Sequence, residues 1–170
     1  TEEFPMKNVK MMAEMGLMGI PFPEEYGGAG MDTLAYIQTV EELSKYCAST
    51  GVILSAHTSL CATPIYQFGS EEQKQKYLPK LCSGEWIGAF ALTEPNAGTD
   101  ASGQQTVAVD AGDHWVLNGS KIFITNAGVA DVFFVLAMTD KSQGTKGISA
   151  FIVKKGYKGF SIGKHEDKLG

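Results

Sequence analysis

Two short stretches carry the residue types that could do chemistry. Phe90-Ala-Leu-Thr93 and Phe123-Ile-Thr125 each close an apolar, strand-like run with aromatic, aliphatic and hydroxyl side chains. Such endings suit a flat heteroaromatic ligand, because apolar faces cover its rings while hydroxyls and backbone groups meet its polar edge. Threonine is apt where a ring nitrogen changes from acceptor to donor on reduction, since a hydroxyl takes either role. An ordinary passage from core to surface has the same pattern, and the pattern alone does not choose between the two. The first stretch runs on into Glu94-Pro-Asn-Ala-Gly-Thr-Asp100, a polar loop at the seam between helical and strand-like sequence, where proteins often hold ligands. Glu94, Asp100 and Glu85 have no evident partner base, and Glu94 and Asp100 read as loop and cap residues rather than catalysts.

Other chemistries find no support. There is no nucleophile elbow, phosphate-binding P-loop or zinc signature. Gly28-Ala-Gly30 lacks the third glycine of a dinucleotide fingerprint, position 33 being Thr33, and no strand precedes it. His57, His114 and His165 lie far apart, so a structural histidine is expected at each and a metal site at none. The three cysteines, Cys47, Cys61 and Cys82, are widely spaced and odd in number, which fits reduced thiols. A net charge of -5 without a basic cluster argues against nucleic acid. The longest apolar run, residues 132–138, is too short to cross a membrane, and without a basic stretch followed by an apolar one at its start no signal peptide is expected. Both ends look cut, so a piece of a longer protein is expected.

The elements that must position the two stretches divide the 170 residues in two. Residues 1–85 read as a helical domain. Its helices run over 6–15, stopped by Gly16, and from Asp32 or Thr33 with a buried stripe of Leu34, Ile37, Val40, Leu43 and Cys47. Another starts at Ser49 or Thr50 and breaks at Pro64, a further turn ends at Gly69, and the last follows the Ser70-Glu-Glu-Gln73 capping box. Residues 86–170 read as a β domain, with strands over 87–92, 106–109, 114–117, 121–125, 132–138 and 148–153, and a start at 160–162. Asn118-Gly119 is the strongest hairpin signal and is preferred to a glycosylation sequon. Closely spaced strands with turns between them predict an antiparallel sandwich or barrel, so the fold class is α+β by segment.

Longer motifs identify a family. Leu92-Thr-Glu-Pro-Asn-Ala-Gly-Thr-Asp100, Leu117-Asn-Gly-Ser-Lys-Ile-Phe-Ile-Thr-Asn126 and Lys146-Gly-Ile-Ser-Ala-Phe151 resemble the acyl-CoA dehydrogenases. Phe22-Pro-Glu-Glu-Tyr-Gly-Gly28, Phe68-Gly-Ser-Glu-Glu-Gln-Lys74 and Lys164-His-Glu-Asp-Lys-Leu-Gly170 extend the likeness along the whole chain, closest to short-chain, butyryl-type members. The resemblance implies an FAD enzyme with N-terminal helical, middle β and C-terminal helical domains, the last missing here. It implies cofactor-binding roles for Phe90, Leu92, Thr93, Gly98, Thr99, Phe123, Ile124 and Thr125. Phe123 stands where many relatives have Trp, Thr125 approaches flavin N5, and Thr99 contacts both flavin phosphate and acyl-CoA. Ala56, His57 and Leu60 become candidate contacts for the acyl tail.

The implied reaction is α,β-dehydrogenation of a short-chain acyl-CoA. A carboxylate removes the α proton and the β hydrogen leaves as hydride. That glutamate lies C-terminal to this segment, so no catalytic residue is assigned within it. The resemblance further implies an electron-transfer flavoprotein as electron acceptor, a homotetramer, no membrane insertion, and the cytoplasm in preference to the mitochondrial matrix. An acyl-CoA oxidase passing electrons to oxygen and a non-catalytic acyl-CoA-binding relative are the alternatives.

Overall fold

The computed structural model describes residues 3–167. The first half is helical: α1 (Met6–Glu14), α2 (Thr33–Tyr46), α3 (Ala48–Ser55), α4 (Thr63–Phe68) and α5 (Glu71–Cys82), with 3₁₀ turns at Leu17–Gly19 and Glu24–Tyr26. The second half holds β1 (Gly88–Ala91), β2 (Val107–Asp110), β3 (Trp115–Asn118), β4 (Val132–Met138) and β5 (Ile148–Lys154). Local chemistry accounts for the boundaries. Gly16, in the left-handed region at φ 74°, ends α1. Asp32 caps α2 by accepting from Ala35 N at 2.8 Å. Ser70 and Gln73 form the reciprocal capping box that opens α5.

A helical segment followed by a sheet segment is the architecture expected, but the sheet is mixed rather than antiparallel. β4 is its central strand. β5 runs antiparallel along one edge of β4 from Val132↔Lys154 to Met138↔Ile148. On the other edge β1 pairs parallel to its first half, and β2 joins in parallel at Val107↔Met138. Parallel neighbours require a long crossover. Residues 92–131 supply it between β1 and β4, and they carry the β2–β3 hairpin on the way. That hairpin turns at residues 111–114, where Ala111 N donates to His114 O at 2.9 Å, and Asn118-Gly119 closes no second hairpin, because no strand follows it directly.

Three further expectations give way. Residues 121–125 form no strand, because Phe123 takes a left-handed backbone (φ 56°) and Lys121 turns inward. Residues 160–162 form none either, and Phe160 packs on Phe133 with ring centroids 4.7 Å apart. On α2, Leu34 and Ile37 are 60% and 53% exposed, Cys47 is exposed, and Val40 and Leu43 are half-buried. Tyr36 is the residue that α2 buries, because the helix turns the edge of its apolar stripe to the core.

Pro64 does not break its helix. Backbone from Ala48 to Phe68 stays helical by widening to a π-helix over Ala56–Ala62, so that Pro64 falls in the first turn of α4. Proline has no N–H and its ring crowds the carbonyl four residues back. The wider turn relieves both faults, and Thr63 Oγ1 donates to the Thr58 carbonyl at 2.8 Å.

The run of apolar residues in β4 is buried on both faces. Phe133 and Val135 belong to one core with Ala89 and Ala91 of β1, and with Val9, Met12, Tyr36, Ile53 and Leu54 of the helices. Val132 and Phe134 belong to a second core with Cys61, Ile65, Tyr77, Leu78 and Leu81. Successive strand residues point to opposite faces, so helices cover the sheet from both sides.

His57 ties these layers together. Its ring is fully buried, Nδ1 accepts from Gly88 N at 3.0 Å, and Nε2 donates to Leu81 O at 3.1 Å. Burial pushes the imidazole down to about 4, against a smaller upward pull from the Leu81 and Met18 carbonyls. A histidine lowered on folding stabilises the fold fully above about 6.5 and loses that contribution as pH falls through 4. Stability is therefore expected to drop by roughly 3 kcal/mol between pH 6.5 and 4 on account of this ring. His57→Gln should cost about 1–3 kcal/mol at pH 7 and flatten that slope, which denaturant titrations at several pH values would measure.

Candidate functional site

The two stretches that could hold a ligand meet after β1. Ile122 N donates to Thr93 O at 2.9 Å, and Lys121 Nζ donates to Leu92 O at 2.9 Å. Residues 121–126 therefore lie alongside the end of β1 as an ordered loop. Phe123 is 56% exposed on this loop, Thr125 is exposed, and Ile124 packs back against the first core. Across from them Leu92 and Thr93 are half-buried. Phe90 is half-buried and stacks on Phe134 at 6.3 Å, an interplanar angle of 13°, toward the second core.

Beneath the threonines lies a buried ion pair. Lys121 Nζ sits 2.7 Å from Glu94 Oε1, with side chains only 9% and 5% exposed. The lysine's third bond goes to Gln104 Oε1 at 3.1 Å. Glu94 also accepts from Gln105 N at 2.5 Å and Thr106 N at 3.0 Å. Burial alone would raise the Glu94 carboxyl, but the hydrogen bonds from Lys121, Thr106 and the Gln105 backbone outweigh it and bring it down to about 2. Lys121 is lowered by burial, partly offset by Glu94. Glu94 stays ionised at neutral pH, and the mutual hydrogen bond leaves neither group free to exchange a proton with a substrate.

The turn after Glu94 is closed by the Glu94↔Ala97 bridge and leaves Gly98 and Thr99 exposed. A side chain on Gly98 would meet nothing within 4 Å, so the described residues leave open space in front of that backbone. Asp100 caps a 3₁₀ turn by accepting from Ser102 N at 3.2 Å, and Glu85 is paired with Lys80 at 2.9 Å. The hydroxyls of Thr93, Thr99 and Thr125 are not engaged by hydrogen bonds among the described residues. Of the π-helical residues, Leu60 is 43% exposed, while Ala56 and His57 are buried against β1 behind it.

An exposed aromatic ring, unengaged hydroxyls on two adjoining segments and an open glycine turn make a donor set that fits a flavin dinucleotide. No group of three or more metal-ligating side chains occurs among the described residues. No described helix is long and apolar enough to cross a membrane.

Reading the residues missed Lys121, Gln104 and Asn126. A signal existed for the first: a lone lysine between Ser120 and the apolar Ile122-Phe123-Ile124 is costly to bury without an acid, and Glu94 sits in the other marked stretch. Asn126 donates from Nδ2 to Ile53 O at 3.2 Å and Gly88 O at 3.1 Å, contacts that no local pattern encodes.

Comparison with known proteins gives the family. Residues 1–85 match the N-terminal domain of the acyl-CoA dehydrogenases, and residues 89–170 match the middle domain. The short-chain specific acyl-CoA dehydrogenase of Clostridium acetobutylicum is 71% identical over 170 residues, which are 100% of this chain and 45% of that protein. The chain thus spans about half the length of such relatives. A chain in the Acidaminococcus fermentans structure described as an electron transferring flavoprotein, from work towards a mechanism of flavin-based electron bifurcation, superposes with a TM-score of 0.95. It is 63% identical, covering 98% of this chain and 44% of that one. Butyryl-CoA dehydrogenase from Megasphaera elsdenii superposes with a TM-score of 0.93 at 54% identity, covering 97% of this chain and 44% of that one.

The ion pair can be tested directly. Lys121→Met is expected to destabilise the protein by about 3–5 kcal/mol, because it leaves the Glu94 charge buried and unpaired. Lys121→Met with Glu94→Gln should recover much of that loss, since the charge goes with its partner. Denaturant midpoints of the parent, single and double variants measure both effects.

Proposed function

The chain belongs to the acyl-CoA dehydrogenase family, and on that premise we propose that residues 90–100 and 121–126 form one wall of the FAD site of a short-chain acyl-CoA dehydrogenase. Members of the family are flavoprotein oxidoreductases whose cofactor is FAD. The observation that carries the reading is the 2.9 Å bond from Ile122 N to Thr93 O, which joins the two threonine-bearing segments into one surface. The helical part, 1–85, and the β part, 86–170, contribute to the site together.

In this reading Thr93 and Thr125 hydrogen-bond the polar edge of the ring system, and Phe123 covers a face of it. Phe90, Leu92 and Ile124 supply the apolar support behind these groups. Gly98 lets backbone approach a phosphate, and Thr99 offers its hydroxyl to that phosphate and to the bound acyl-CoA. Leu60 meets the acyl tail, with Ala56 and His57 shaping the wall behind it. Bound FAD supplies the acceptor for the hydride that leaves the β carbon. Removal of the α proton falls to a carboxylate elsewhere in the whole protein, because Glu94 is held ionised in its ion pair, Asp100 caps a turn and Glu85 pairs with Lys80. The names of the relatives support short-chain acyl-CoA as substrate, and the Acidaminococcus fermentans structure supports an electron-transferring flavoprotein as redox partner. A homotetramer acting in the cytoplasm, or in the matrix of a mitochondrion, completes the proposal.

Anaerobic titration tests it. The whole protein, purified yellow, should bleach on addition of butyryl-CoA and recover its colour when electron-transferring flavoprotein is added. A flavin that stays oxidised refutes the reading, and rapid recolouring in air without the partner makes the protein an oxidase. The isolated 170 residues should turn over no butyryl-CoA.

A further inference from the structure

Residues 121–126 hold an unfavourable backbone. Phe123 has φ 56° and Asn126 φ 69°, both in the left-handed region that side chains other than glycine's seldom enter. Conformations of this kind persist only where the surroundings over-determine them. One end of the loop is fixed by Lys121 and by the Ile122 N–H. At the other end Asn126 supplies the polar anchor, beside the packing of Ile124 and Ala127 on the first core. Its Nδ2 bonds to Ile53 O of α3 and to Gly88 O of β1, and its own carbonyl accepts from Val129 N at 3.0 Å and Ala130 N at 2.8 Å.

Two carbonyl acceptors define which atom of the side chain is the nitrogen. The oxygen beside it, Oδ1, is buried and has no partner among the described residues. An unsatisfied buried acceptor is costly, and a glycine would hold φ 69° without that cost. Asparagine at this position therefore earns its place through the amide donor, which joins helix, strand and loop at one point.

We propose that Asn126 is a positioning residue for the flavin: by staking residues 121–126 to α3 and β1, it holds Phe123 and Thr125 in place before the cofactor binds. This rests on the reading that those residues face FAD. Lys121 secures one end of the span and Asn126 the other, so the aromatic ring and the hydroxyl lie on a span anchored at both ends. A preformed wall spares the binding step the entropy of ordering the loop.

The test uses the whole FAD-loaded protein with two substitutions. Asn126→Gly keeps the left-handed backbone and removes the donor. Asn126→Asp keeps the shape and sets an acceptor against the Ile53 and Gly88 carbonyls. FAD retention should weaken about tenfold in Asn126→Gly and further in Asn126→Asp. The visible flavin spectrum and its midpoint potential should shift in Asn126→Gly, readouts that a loss of protein stability alone would not move. Retention, spectrum and potential equal to the parent's in Asn126→Gly would overturn the proposal. Should the variants fail to fold, hydrogen exchange in the parent protein decides. Slow exchange of the amides of residues 122–126 supports the anchored loop, and exchange as fast as that of an exposed turn overturns it. A parent protein that takes up no FAD refutes the flavin reading itself, an outcome distinct from a yellow parent with indifferent variants.

Discussion

A carboxylate and an ammonium buried together under a turn constrain everything around them. With its side chain 5% exposed, Glu94 keeps its charge because Lys121 and the backbone N–H groups of Gln105 and Thr106 surround it. Desolvating two such charges costs several kcal/mol, and the attraction between them repays this only when the remaining hydrogen-bond capacity is also met. The backbone is shaped to meet it. Lys121 also reaches the Leu92 carbonyl and the Gln104 side chain, so the end of β1, the turn after it, the approach to β2 and the 121–126 loop converge on one point. The threonines on these segments owe their arrangement to the charges buried beside them.

The support for that point comes from a strand used on both sides. β4 alternates its side chains between two cores, and each core recruits a different set of helices. β1 lies along β4 in the same plane, which makes its start a junction: the Gly88 N–H bonds to His57, and the Gly88 carbonyl bonds to Asn126. A side chain on Gly88 would collide with Cys61 at 2.7 Å, so the π-helix packs directly against backbone there. Helical and sheet segments are thus joined by a histidine and an asparagine as well as by apolar packing.

Much of the chain was legible residue by residue. The capping box at Ser70, the glycine stop at Gly16 and the uninterrupted apolar run of β4 are local signals, and each element stands where its signal placed it. The misread features depend on distant partners. Residues 121–125 have the composition of a strand, yet a lysine committed to Glu94 and a phenylalanine at positive φ prevent one. Strand direction was equally hidden, because nothing local to β1 reveals that it skips over a hairpin to pair with β4. On α2 the apolar stripe was real in sequence, but which side faces the core is decided by the neighbouring helices, and Leu34 and Ile37 stay exposed. At the site, the threonines and Phe123 stood out by type, whereas Asn126 looked like any loop residue until its carbonyl partners came into view.

The division of labour within the motif follows from ionisation. A base that takes a proton from carbon needs a free carboxylate whose pKa approaches the working pH. Glu94, brought down to about 2 and enclosed by donors, is the reverse: its proton affinity is spent on holding the fold. Hydroxyls suffer no such conflict, because a threonine at the surface carries no charge to neutralise and can donate or accept as a ligand demands. A motif that buries its acid and exposes its hydroxyls suits the proposed role of holding a polar cofactor edge, a role that leaves proton removal to a carboxylate outside the motif.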